Sequence, residues 1–202
     1  ASILSAIRMR MGDSAATTAY LDETTRINRR LQEHYLNRLE NATRGDIALC
    51  ERRYADARRW YDQVETPKWL GDLPILYEWG VALLNLIEGS PHAAEALRIC
   101  RDQCMTMPVY YRSKFGDNAL YAQGFLLLLA ALYEQRSDFK TAAGLVGLWT
   151  RGKDRAARHW VEDVPFIVEL PARIERSLGA AAYAEAGATG TDAWAWTLVE
   201  GL

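Results

Sequence analysis

The strongest constraint on the fold of this chain is a pattern of small and aromatic residues that occurs three times. The copies occupy residues 45–61, 80–97 and 129–149, and the first two lie 34 to 36 residues apart. A repeat of this length is typical of stacked helix pairs, because a single helix pair cannot bury its apolar face alone. Stacked pairs of this kind commonly present an extended surface to another molecule. The pattern therefore predicts an array of helices with a binding surface.

The spacing within each copy resembles the small–small–aromatic signature of the tetratricopeptide repeat. In the first copy, Gly45 is followed twelve residues later by Ala57 and one turn further by Tyr61. In the third copy the same offsets are held by Ala130, Ala142 and Val146, and in the second, less closely, by Val81, Ala93 and Leu97. The resemblance covers roughly residues 38–152 and implies antiparallel helix hairpins whose small residues face each other where the helices cross.

Composition fits this interpretation and limits the alternatives. Apolar residues make up 50% of the 202 positions and charged residues 25%, which is the balance of a globular protein. The formal net charge is -2, so we expect no nucleic-acid partner, because such partners usually require a strongly basic face. No segment shows the alternation of a strand. We therefore expect an all-α fold of antiparallel helix hairpins, stacked as a short tetratricopeptide-like array or a helical bundle.

We expect a single all-α domain over residues 1–202. Residues 1–40 are predicted to form N-terminal helices, residues 41–152 three repeat-like helix pairs, and residues 153–202 C-terminal capping helices. Residues 12–18 have the composition of a loop, and residues 187–190 that of a flexible connector. Candidate helix starts are marked by Ser90 before Pro91, by Ser137 or Asp138, and by Asp192.

The cysteines and the apolar segments predict a cytoplasmic protein without a membrane partner. The chain has three cysteines, an odd number and too few for a secreted disulfide scaffold, so a reducing compartment is favoured. The apolar N-terminal residues precede the basic ones, the reverse of a signal peptide. The longest apolar run, residues 125–132, is too short to cross a bilayer.

We expect no metal, no cofactor and no catalytic residues. Cys100 and Cys104 are four apart on a predicted helix, and sulfur ligands could hold copper(I) or zinc, but no nearby pair completes a four-ligand site. Buried cysteines acting as small apolar residues are the simpler interpretation. The three histidines are isolated in sequence, at positions His34, His92 and His159. No phosphate-binding glycine loop or nucleophile motif is present.

Two groups of residues are candidate contacts for a partner. An irregular segment, residues 108–118, carries aromatic and basic side chains of the kind enriched at protein interfaces. A second group lies in the first repeat, where basic residues cluster among acidic ones. The candidate contacts are Arg52, Arg53, Arg59, Tyr110, Tyr111, Arg112 and Lys114.

The sequence favours a protein–protein interaction module, of an adaptor, chaperone-like or bacterial toxin-immunity type, that binds a peptide or a folded partner. Two alternatives stay open. The chain could be the ligand-sensing or regulatory domain of a transcriptional regulator, or an all-α enzyme built from dispersed acidic residues. The partner's identity and the oligomeric state are also open at this point.

Overall fold

The computed structural model describes residues 14–31, 34–64, 77–106, 124–152 and 160–202, and within these ranges the secondary structure is helical without any strand. The helices are α1 (Ser14–Leu31), α2 (His34–Cys50), α3 (Tyr54–Asp62), α4 (Tyr77–Ile87), α5 (Ala93–Thr106), α6 (Phe125–Gln135), α7 (Phe139–Gly152), a 3-10 helix (Trp160–Asp163), α8 (Pro165–Val168), α9 (Leu170–Leu178), α10 (Ala180–Thr189) and α11 (Asp192–Glu200). The predicted all-α class is therefore confirmed. None of the described helices is long and apolar enough to cross a membrane.

The chain forms two compact units, with the boundary between Leu84 and Asn85. Unit 1 contains α1, α2, α3 and the first part of α4, and unit 2 contains everything from Asn85 onward. Whether the two units act as the single domain expected from sequence stays a prediction. Each unit is described below by itself.

In unit 1, helix α2 packs against both α1 and α3. Its apolar residues Ile47, Ala48 and Leu49 are buried, because this stretch faces the neighbouring helices. Ala57 and Tyr61 of α3 are buried as well, and Tyr61 is only 3% exposed. Removing such side chains from water stabilises the unit by roughly 1.5–3 kcal/mol for each large one.

A polar cluster joins α1 to α2 around the guanidinium of Arg44. Its Nη2 donates to Asp22 Oδ1 at 2.9 Å and to Thr25 Oγ1 at 3.1 Å, both on α1. Its Nε donates to the buried Glu40 Oε1 at 3.1 Å. The same guanidinium carbon lies 5.4 Å from the ring centroid of Trp60 on α3. Arg44 therefore contacts side chains of α1, α2 and α3, and these contacts help to orient the three helices.

In unit 2, helix α7 is the central element and packs against α6, α9 and α10. Residues 125–132 of α6 are all buried, so the longest apolar run of the sequence forms core, as predicted. Small residues line the α6–α7 contact: Ala130, Ala142 and Ala143 are fully buried, and Val146 is 2% exposed. A bidentate pair adds to this packing, because Arg173 on α9 donates to both carboxylate oxygens of Glu134 at 2.7 and 2.8 Å.

Three hairpin turns in the described residues are built in the same way. After α2, α4 and α6 the chain passes through one residue with positive φ: Arg52 at 60°, Gly89 at 65° and Ser137 at 61°. The next amide then bonds back over five residues, at 2.8 to 2.9 Å (Arg53 N to Ala48 O, Ser90 N to Asn85 O, Asp138 N to Tyr133 O). This is the Schellman arrangement, which satisfies the last carbonyls of a helix while reversing the chain.

One of the three predicted helix starts is confirmed, because Asp138 Oδ1 accepts the amide of Thr141 at 3.1 Å and α7 begins at the next residue. A second is displaced: Ser90 Oγ accepts the amide of His92 at 3.2 Å, but α5 begins at Ala93 rather than at Pro91. The third prediction is wrong by one residue. The N-cap of α11 is Thr191 rather than Asp192, since the Thr191 hydroxyl accepts the amide of Trp194 at 3.3 Å.

Two predicted irregular segments are corrected. Residues 14–18 belong to α1 and not to a loop, because Thr17 is fully buried and packing overrides the weak helix preference of Ser and Thr. Residues 187–189 complete α10 and are not a connector. Gly187 is helical there because its bare backbone faces Gly147 of α7.

Ser137→Gly should raise the free energy of unfolding by about 0.5–1 kcal/mol. A non-glycine residue at positive φ is strained, and glycine adopts this conformation without a steric cost. Thermal unfolding followed by circular dichroism measures the change. The same substitution at the exposed Ser177, in the last turn of α9 and without a positive φ, is the control and should lower stability, because glycine relieves no strain there and has the weaker helix preference. Equal signs at the two positions would contradict the assigned turn.

Candidate functional site

The three candidate arginines of the first repeat lie on the surface of unit 1. Arg52 forms the left-handed turn, Arg53 precedes α3, and Arg59 follows in its last turn. Arg53 Nη1 lies 2.7 Å from Asp56 Oδ2, and Arg59 forms an ion pair with the other oxygen of Asp56. These hydrogen bonds, first that of Arg59 and then that of Arg53, lower the pKa of Asp56. One carboxylate therefore holds two guanidinium groups and reduces the positive charge of this surface.

The second candidate group lies outside the described residues. It consists of Tyr110, Tyr111, Arg112 and Lys114. Their role as partner contacts stays a prediction.

In unit 2, an open groove of about 520 Å³ lies between α7 and α10. We call it the α7–α10 groove. One wall comes from the first turns of α7, the other from one face of α10, and α11 supplies an aromatic ring at the end. The lining residues are Lys140, Thr141 and Gly144 on α7, Ala182, Glu185, Ala186 and Thr189 on α10, followed by Gly190 and Trp194.

Glycines bring the backbones of α7 and α10 into direct contact beside this groove. A Cβ atom on Gly147 would lie 2.5 Å from Gly187 Cα, and one on Gly190 would lie 2.5 Å from the carbonyl oxygen of Gly144. Both distances are shorter than real Cβ contacts, so glycine is required at Gly147 and Gly190. The helices touch here, and the groove forms where they diverge.

Trp194 lies on the bare backbone of α7. A Cβ atom on Gly144 would be 2.8 Å from the indole Cη2, so the ring occupies the space that any other residue would fill. The capping hydrogen bond at Thr191 fixes the start of α11 and hence the position of Trp194 one turn later. The ring stays partly exposed and contributes an aromatic surface to the groove.

Arg151 on α7 also contacts the C-terminal end of α10. Its guanidinium donates to the carbonyl of Gly187 and, at 2.6 Å, to the carbonyl of Gly190. These oxygens lie at the C-terminal end of α10, where helix carbonyls lack partners and the helix dipole is negative. The arginine therefore caps α10 and fixes its end against α7.

The α7–α10 groove suits binding through several weak contacts. Its charged residues, Lys140 and Glu185, are exposed and opposite in sign, and two threonine hydroxyls lie between alanine and glycine surfaces. Its volume falls in the range of roughly 300–1,000 Å³ that is typical of ligand pockets. Across the described residues, no group of three or more His, Cys, Asp or Glu side chains is placed to hold a metal ion.

A smaller pocket of about 250 Å³ lies where two hairpin turns of unit 2 meet. Gly89, Ser90 and Pro91 come from the turn before α5, and Leu132 and Arg136 come from the end of α6. The sequence predicted neither pocket. The signal for the larger one was present as two glycine pairs, each three residues apart, at 144 and 147 and at 187 and 190. On two helices this spacing allows a close crossing, but in the sequence alone the second pair has the composition of a connector.

The fold and the groove define an all-α protein built of packed helix hairpins with a surface cleft. No protein-family model, curated protein or solved structure matches the chain.

Gly147→Ala should destabilise unit 2 by about 2–3 kcal/mol, because the added methyl overlaps the backbone of Gly187 and forces the helices apart. Gly187→Ala is the matched control on the facing helix. Its Cβ would meet Ala143 O at 3.7 Å, an ordinary contact, and alanine favours the helix. We expect thermal unfolding to separate the two variants clearly. A similar loss in both would show that the helices do not cross as described.

Proposed function

We propose that this protein is a protein–protein interaction module and that the α7–α10 groove binds a peptide segment of its partner. The observation that carries the proposal is the groove itself, an open cleft of about 520 Å³ with a partly exposed indole at its end. Tryptophan is enriched among the residues that dominate binding energy at interfaces. Because the cleft is open, a chain can enter and leave it along the helices.

The chemistry of the groove indicates what the peptide should look like. Gly144 and Ala186 leave room for the peptide backbone to approach, and Trp194 offers a surface for one bulky apolar side chain. Lys140 and Glu185 favour a segment that carries both an acidic and a basic residue near that side chain. Thr141 can donate and accept hydrogen bonds with its backbone, and Thr189, whose hydroxyl donates to Ala186 O at 2.9 Å, can accept one.

The arginine surface of unit 1 is proposed as a further contact. The side chain of Arg59 is 75% exposed even though it is paired with Asp56, so an acidic group of a partner can compete for it. Arg52 and Arg53 belong to the same proposed surface. Tyr110, Tyr111, Arg112 and Lys114 are proposed as separate partner contacts. A small cytoplasmic adaptor, a chaperone-like protein or a bacterial immunity protein suits such a module.

One observation favours a second candidate function. The volume of the groove also fits a small organic molecule, as a ligand-sensing domain of a transcriptional regulator would require. In that case the ligand would stack on Trp194 and fill the cleft without a peptide chain.

Peptides selected by display against the purified chain should share one bulky apolar residue. Trp194→Ala should weaken their binding at least tenfold, about 1.4 kcal/mol, when measured by titration calorimetry. Trp196→Ala changes a tryptophan on the same helix outside the groove and should alter the affinity less than twofold. Ala182→Leu, which narrows the groove, should also weaken binding.

The possible outcomes are distinct. Selected peptides that bind the Trp194→Ala and Ala182→Leu variants as tightly as the unchanged chain would exclude the groove as the peptide site. Thermal stabilisation by a small molecule, lost in both variants and accompanied by no selected peptide, would favour the ligand-sensing alternative.

A further inference from the structure

Unit 1 contains a buried hydrogen bond between two acidic side chains. Tyr61 Oη on α3 donates to Asp46 Oδ1 on α2 at 2.7 Å. The tyrosine is 3% exposed, and the two residues come from helices that pack face to face. The α7–α10 groove lies in unit 2, so this pair has no part in the function proposed above.

Two glycines enclose the pair. A Cβ atom on Gly45 would lie 2.7 Å from Tyr61 Cζ, so the ring rests on the bare backbone of α2. A Cβ atom on Gly80 would overlap the Tyr61 hydroxyl and lie 3.0 Å from Asp46 Oδ1. The first turn of α4 therefore closes directly over the hydrogen bond.

The carboxyl group is held neutral by its surroundings. Burial raises the pKa of Asp46 to about 8, although the hydrogen bond from Tyr61 acts in the opposite direction. Burial, and then the neighbouring Asp46, raises the pKa of Tyr61 well above its ordinary value. Tyr61 is buried and Asp46 is only partly accessible, so ionising either group in place would put a charge at a site with little water, which is costly unless the structure opens.

Other charged groups around the pair do not neutralise it. Cys50 on α2 further raises the pKa of Tyr61, and Arg58 on α3 lowers it, but less than burial raises it. Glu78 is the charged residue that α4 supplies within unit 1. Toward α1, the carboxylates of Asp22 and Glu40 are paired with the guanidinium of Arg44.

We propose that the Asp46–Tyr61 hydrogen bond is a pH-sensitive latch that holds the first turn of α4 against the α2–α3 hairpin, and that rising pH releases it. When the latch is closed, the neutral Asp46 accepts the tyrosine hydroxyl beneath Gly80. When it opens, the Asp46 carboxyl reaches water, loses its proton to solvent and no longer fits beneath α4.

The direction of the pH dependence follows from the two states. In the open state the carboxyl has the ordinary pKa of about 4, and in the closed state its pKa is about 8. The closed latch is therefore most stable below pH 4, weakens between pH 4 and 8, and changes no further above pH 8. Because one proton is released on opening, the equilibrium constant for opening increases at most about tenfold for each pH unit in this range. Part of Asp46 stays solvent-accessible, so we expect a slope below this limit.

Amide hydrogen exchange of the full-length chain tests the proposal, with rates corrected for the intrinsic effect of pH. Protection of residues 80–84 should fall several-fold for each pH unit between pH 5 and 8 and then level off. Residues 18–25 of α1 serve as the internal reference and should show a smaller change. In parallel, the Asp46 carboxyl carbon should titrate near pH 8 in an NMR experiment on the unchanged protein.

Three variants sharpen the test. Asp46→Asn should remove the slope in residues 80–84, because the amide cannot ionise. Tyr61→Phe should move the Asp46 titration to higher pH, because the hydrogen bond that stabilises the ionised carboxylate is lost. Asp56→Asn alters an aspartate on the surface of α3 and should leave the slope unchanged.

The proposal is overturned if Asp46 titrates near pH 4 in the unchanged protein, or if Asp46→Asn retains the slope. An equal loss of protection in residues 18–25 would also overturn it, because the whole unit would then open rather than the latch. If Asp46→Asn fails to fold, the titration of the Asp46 carboxyl in the unchanged protein and in Tyr61→Phe tests the proposal by itself. A titration near pH 8 that moves to higher pH in Tyr61→Phe supports the proposal, and one near pH 4 overturns it.

Discussion

Direct contact between a glycine backbone and a neighbouring group is the constraint on which both units depend. Two helices can approach only as far as their Cβ atoms allow, and at several close contacts in this chain a glycine has no Cβ atom. In unit 2, Gly147 contacts the backbone of Gly187, and the indole of Trp194 rests on Gly144. In unit 1, Gly45 and Gly80 enclose the ring and hydroxyl of Tyr61. Each contact fixes a distance between helices that side-chain packing alone would leave variable.

Hairpin turns supply the second constraint, because they decide which helix faces meet. In each hairpin the left-handed residue lies seven positions after a small residue: Arg52 after Gly45, Gly89 after Ala82, and Ser137 after Ala130. In each hairpin a small residue therefore lies two helical turns before the reversal. Only the middle turn uses glycine at the left-handed position. The other two accept strain there, which indicates that packing of the hairpins holds these turns in place.

Sequence reasoning identified the helices and the small residues of the core because both signals are local. Gly45, Ala57 and Tyr61 are spaced for one hairpin, and the burial of Ala130 and Ala142 follows from the same spacing. The α7–α10 groove could not be predicted in this way, since its walls are about 40 residues apart in sequence. The helical state of Gly187 could not be predicted for the same reason. Its local sequence favours a connector, and its contact with the distant Gly147 favours a helix.

The same two ingredients, a glycine and an aromatic ring, serve different purposes in the two units, and burial decides between them. Tyr61 is enclosed on both sides and its hydroxyl donates to Asp46, so its contacts stabilise unit 1. Trp194 rests on one glycine only, and the rest of its ring borders an open cleft. An aromatic surface that folding leaves partly solvated can still gain free energy by binding. This difference makes Trp194 a candidate binding residue and Tyr61 a structural one.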